Sequence, residues 1–183
     1  MQSKQLIKPF LAWAILLVTI QGLYGCASPA ETKGMVAQVN TSTTHPFSVG
    51  IRTQGGSETG AMDPSMISDT DFAKAIEESI INGRIFTSVV HGKASDYELG
   101  VTILNFNKPM FGGSFTITLE TAWSLTNTTT REAVMRKNIT STHTASFGDS
   151  VVAVTRFRLA LEGAARKNIK QGLEEIAQIA IKQ

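Results

Sequence analysis

Between Phe115 and Leu125 the chain reads FTITLETAWSL, and Phe115, Ile117, Leu119, Trp123 and Leu125 occupy alternate positions with Ser, Thr and Glu between them. Successive side chains of a strand point to opposite faces, so this run makes a strand with one apolar and one polar face. A similar run, Tyr97, Leu99, Val101 and Ile103, precedes it. Asn127 to Arg131 then supplies a turn, and Ala133 to about Phe147 returns, polar on one side. Strict alternation on consecutive strands implies an antiparallel sheet with one covered face. The cover is supplied downstream. Val151 to Ile181 carries Val154, Phe157, Leu161, Ala165, Ile169, Leu173, Ile176 and Ala180 on one helical stripe. Glu162 and Arg166 stand four apart, expected on its solvent side as a weak supporting pair. Gly163-Ala164-Ala165 is small enough for close approach to the sheet or to a second helix.

That second helix is expected from about Thr70 to Asn82, capped by Ser68 or Asp69. Phe72, Ala75, Ile76, Ser79 and Ile80 share one face, and Gly83 is placed to stop it. Phe47 to Arg52 alternates and makes a first strand. Residues 54–67 are a Gly-, Ser- and Pro-rich loop, and Ile85 to Val90 is a short β-rich run. The order is β-α-β-β-β-β-α. This predicts a two-layer α+β domain, an antiparallel sheet of about four to five strands packed by two helices.

The first residues are of another kind. Lys4 and Lys8 form a positive n-region, and Pro9 to Ile20 is an apolar run of twelve residues. A bilayer span needs about 20 apolar residues, so this length fits a signal h-region instead. The single cysteine of the chain, Cys26, follows directly and can form no internal disulfide. Leu23-Tyr24-Gly25-Cys26 resembles the bacterial lipobox, with Tyr24 bulkier than is usual at its place. That resemblance implies cleavage before Cys26, diacylglycerol on its thiol and acylation of its amine. Several acyl chains hold a protein to a bilayer stably where one does not. Ala27 stands where lipoproteins retained in the inner membrane often carry Asp, so the resemblance implies the outer membrane, facing the periplasm. The division expected is a removed signal peptide at 1–25, a lipidated flexible tether at 26–46 that holds the domain well off the membrane, and one domain at 47–183.

Processing also alters the charge. The whole chain has 17 basic and 15 acidic residues, but Lys4 and Lys8 leave with the signal, and the balance becomes even. A chain of zero formal charge has no field to steer nucleic acid.

The residues give little chemistry. His45, His91 and His143 show no ligand spacing and no cysteine joins them, so no metal and no cofactor are expected, and the histidines are read as solvated. Gly148-Asp149-Ser150 begins like the GDSL hydrolase motif, but Val151 replaces its Leu, and Asp and Ser are ordinary residues at a helix start. An anchored hydrolase would require His143, an acid and Ser150 within hydrogen-bond reach. Met110 and Phe111 are apolar at a loop tip, in residues 107–113, where polar residues are usual. They either fold back on the core or contact a partner or lipid.

The helix DFAKAIEESIINGRIF, the strand opening Asp96-Tyr97-Glu98-Leu99 and the closing helix RFRLALEGAARKNI are similar in order to those of small outer-membrane lipoproteins of the YajG type and of the accessory lipoprotein of lipopolysaccharide export. The likeness implies a periplasm-facing domain that binds another envelope protein or lipid without catalysis. The alternative is a carrier of lipid or lipopolysaccharide, which needs an apolar cavity between sheet and helices. Uncovered sheet edges leave homo-oligomers open.

Overall fold

The computed structural model describes residues 29–56, 67–92, 94–107 and 112–181. Cys26, the cleavage residues Leu23, Tyr24 and Gly25, and the loop residues Met110 and Phe111 lie outside them.

Among the described residues, five strands form one sheet: β1 (His45–Gln54), β2 (Phe86–Val89), β3 (Tyr97–Phe106), β4 (Phe115–Asn127) and β5 (Ala133–Ala145), in the order β2-β1-β3-β4-β5. The same residues form three helices, α1 (Thr32–Met35), α2 (Asp69–Gly83) and α3 (Ala153–Gln178). The two-layer α+β architecture is as expected. Strands β3, β4 and β5 pair antiparallel, with Val101 opposite Trp123 and Trp123 opposite Lys137. The sheet as a whole is mixed, because β1 runs parallel to both its neighbours. The cause is connectivity: β1 reaches β2 through α2, and a helical crossover returns the chain in the same direction.

All six alternate residues of β4, Phe115, Ile117, Leu119, Thr121, Trp123 and Leu125, face the helices and are buried. Helix α2 buries the expected five residues, Phe72, Ala75, Ile76, Ser79 and Ile80. Its cap is Ser68, whose Oγ accepts from Asp71 N–H at 3.0 Å. Its stop differs from expectation: Arg84, not Gly83, takes the left-handed conformation, at φ 51°. Gly83 is the last helical residue, and a Cβ there would stand 3.3 Å from Ile85 and from the Val39 carbonyl.

Helix α3 crosses the sheet close enough that two glycines are required. A Cβ on Gly172 would stand 2.6 Å from the Trp123 ring, and one on Gly163 would collide with the His143 imidazole. Beneath them, Trp123 Nε1 donates to Thr121 Oγ1 at 2.9 Å and to Asn168 Oδ1 at 3.1 Å. Thr121 Oγ1 donates to Asn168 Oδ1 at 2.7 Å, and Asn168 Nδ2 donates to the Ile139 carbonyl at 3.2 Å. Thr121, Asn168 and Trp123 are all at most 1% exposed, so every buried polar group of this cluster has the partner it needs.

Two expectations about the helical layer are corrected. Residues 29–46 are no flexible tether. Ala30, Met35, Ala37 and Val39 are buried, α1 packs on α2 and α3, and Ala37 N–H donates to Ser79 Oγ at 2.9 Å. Glu162 is not on the solvent side either. It is 6% exposed and lies under this segment, where its carboxylate accepts from Glu31 N–H at 2.9 Å. Strand β1 accordingly begins at His45, two residues before its expected start. The His45 ring is buried, with Nε2 2.9 Å from the Ile176 carbonyl and the ring against Phe86.

Candidate functional site

Chain direction collects several features at one end of the domain. Strands β1 and β3 finish there, β4 starts there, β5 finishes there, and α2 and α3 both begin there. The first described residues enter at the same end. Glu31 is tied to α3 by Arg158 Nη1 at 2.6 Å and by Glu162, and Thr32 Oγ1 donates to Asp71 in the first turn of α2 at 3.0 Å. Arg166 adds a donor to the Gly34 carbonyl at 2.8 Å.

The turn from β5 into α3, residues 146–152, has a built structure. Asp149 accepts from Ser146 N–H at 2.7 Å and from Ser146 Oγ at 3.0 Å, and these bonds hold its carboxyl below the ordinary aspartate range. Ser150 Oγ accepts from Val152 N–H at 3.1 Å. Arg156, 3% exposed, turns back from the first turn of α3. Its Nη1 donates to the carbonyls of Ser150 and Val151, both at 2.9 Å. The guanidinium stands 4.0 Å from the Phe147 ring centroid, a cation–π contact. The turn is thereby fixed with Phe147, Val151, Val152 and Val154 pointing outward, at 60%, 82%, 51% and 42% exposure. Val154 was expected in the buried stripe; the sheet ends before it can be covered.

The described residues do not join His143, an acid and Ser150 in one hydrogen-bonded set. Ser150 Oγ and the Asp149 carboxylate are engaged within their own turn, and no hydrogen bond links either to His143 among the described residues. His143 lies instead against Gly163 of α3. Burial first, then the charges of Lys167 and Arg166, lower its imidazole below the ordinary histidine range. A lowered folded-state value means that the unfolded chain binds the proton more readily, so stability falls as pH drops below about 6.5. Melting temperature is expected to decline between pH 7.5 and 5.5, and the decline is expected to be shallower in His143→Gln. Equal slopes in the two proteins would refute that assignment.

Among the described residues no group of three His, Cys, Asp or Glu converges as a metal site, and no helix is long and apolar enough to cross a membrane. The space between sheet and helices is filled by Trp123, Tyr97, Phe72, Ile76 and Ile80, each under 2% exposed. Two grooves open to solvent elsewhere. One lies on the outer face of the sheet beside Thr102, Ala122, Ser124, Arg136 and Asn138, and the other lies between β1 and α2 beside His91 and Glu77.

No family model matches the chain. No curated protein matches it either. Solved structures share its fold. A protein from Xanthomonas campestris of the DUF330 family is 11% identical and superposes with a TM-score of 0.59, over 78% of this chain and 91% of that one. The hypothetical protein CT253 from Chlamydia trachomatis is 6% identical, with a TM-score of 0.54 over 73% of this chain and 97% of that one. At these identities the likeness is one of fold: this α+β arrangement occurs in those two proteins as well.

Proposed function

We propose that the protein is an outer-membrane lipoprotein, anchored through acyl chains on Cys26, whose periplasm-facing domain binds another component of the cell envelope and performs no catalysis. The observation that carries this reading is the sequence Leu23-Tyr24-Gly25-Cys26 placed directly after a short positive region and a twelve-residue apolar run. The structure adds a reason why the anchor matters to the domain. Ala30, four residues beyond Cys26, is already buried. Four residues span at most about 14 Å, so lipid on Cys26 holds the domain close to the bilayer and in a restricted orientation. The packed space between sheet and helices favours a binding surface over an enclosed lipid cavity.

The reading is tested by purifying the membrane-bound protein in mild detergent and identifying what accompanies it by mass spectrometry. A stoichiometric envelope protein supports the accessory role. Bound lipid without protein supports the carrier alternative. Turnover of a chromogenic ester that Ser150→Ala abolishes would overturn the non-catalytic reading.

A further inference from the structure

Among the described residues, the exposed large apolar side chains are not scattered. Leu104, Phe147, Val151, Val152 and Val154 all lie at the end of the domain where residues 29–31 enter, whereas Ile81 lies towards the C-terminus of α2, about 18 Å along that helix from its start. Single exposed apolar residues need no explanation, but a cluster on a fixed turn marks a contact surface. The turn is fixed by Arg156, a buried cation that binds two of its carbonyls and stacks on Phe147.

The position of the chain entry identifies the occupant. Glu31 is tied to Arg158, which lies one turn of α3, about 6 Å along the axis, from Val154. Cys26 is five residues before Glu31, a reach of about 18 Å at most. A lipid anchor there leaves the Val151–Val154 surface within reach of the same bilayer. We infer that Phe147, Val151, Val152 and Val154 seat in the headgroup–acyl boundary of the membrane beside the acyl chains of Cys26, as a second and reversible contact that orients the domain. Apolar side chains of this kind enter that boundary by about 5–10 Å. The cation nearest the turn is Arg156, but it is 3% exposed and engaged with the Ser150 and Val151 carbonyls and the Phe147 ring. The other charges nearby are Asp149, Asp71, and Glu31 paired with Arg158, which gives no exposed basic patch for anionic headgroups. The contact is therefore hydrophobic and insensitive to salt.

This inference rests on lipidation of Cys26, and the test separates the two. In the lipidated protein the Cys26 thiol is blocked, so Val151→Cys and Ile81→Cys each carry one free thiol for an environment-sensitive fluorophore. Each full-length lipidated protein is reconstituted into vesicles of phosphatidylethanolamine and phosphatidylglycerol. Both are expected to float with the vesicles. The Val151→Cys probe is expected to emit further to the blue and to be quenched several-fold more by bilayer-embedded spin labels than the Ile81→Cys probe, in low and high salt alike. If both proteins float but both probes stay aqueous, the seating is wrong while the anchor stands. If the Val151→Cys probe becomes apolar in native envelopes only, the patch belongs to a partner protein and the seating is likewise overturned. If neither protein floats and Cys26 itself takes the label, the anchor fails and the seating with it.

Discussion

Trp123→Ala is expected to destabilise the domain by about 3–5 kcal/mol, the loss typical of a large aromatic removed from a core. Trp123 is 1% exposed at the centre of β4, pressed against the backbone of Gly172 in α3. Truncation removes the contact between the layers and opens a cavity that a long helix pinned at several points is poorly able to fill. It also takes the indole N–H from Thr121 Oγ1 and Asn168 Oδ1, although those two groups retain each other at 2.7 Å. For a domain of this size the loss corresponds to a fall in melting temperature on the order of 10 °C. Denaturant and thermal unfolding of wild type and variant measure it. A loss under about 1 kcal/mol would mean that α3 does not pack on β4 as described.

Met35→Ala is expected to cost about 2–5 kcal/mol, and it separates two accounts of residues 29–46. A flexible tether tolerates truncation of any side chain to within about 0.5 kcal/mol. Met35 is instead fully buried in α1, between α2 and α3, and its neighbours are held by Ser79, Glu162 and Arg166. Hydrogen exchange adds a local readout. The Ala37 amide, bonded to Ser79 Oγ, should be protected in wild type and exchange faster in the variant. An unprotected Ala37 amide in wild type would restore the tether.

What the sequence made legible follows from which forces act within one element. The period-two run of β4 and the five-residue face of α2 are decided by a single covered side, and both buried faces match their patterns residue by residue. Three other features depend on distant partners. The parallel pairing of β1 with β2 and β3 leaves no mark in the alternation of β1, since periodicity gives a face and not a direction. Segment 29–46 has small apolar residues at irregular spacing, and much of its docking is by backbone groups to Ser79, Glu162 and Arg166, which no periodicity records. Glu162 and Arg166 have the spacing of a solvated pair, and only the chain lying over Glu162 makes it buried. Burial raises its carboxyl above the ordinary glutamate range, partly offset by the Glu31 N–H bond and by Arg158.

The candidate site was legible in part. Cys26 carried its own signal, outside the described residues. The apolar turn was hidden because Val154 fits the stripe of α3 and Phe147 fits the end of β5. One signal was present: Val151-Val152-Ala153-Val154 is apolar at four consecutive positions, and a helix start cannot turn all four towards one sheet.

The mass of the N-terminal peptide of the mature protein tests the anchoring role of Cys26 directly. The expected peptide begins at Cys26 and carries diacylglycerol on sulfur and a further acyl chain on its amine, with Cys26→Ser remaining uncleaved and unacylated. A peptide that begins elsewhere, or one with a free thiol at Cys26, would contradict it.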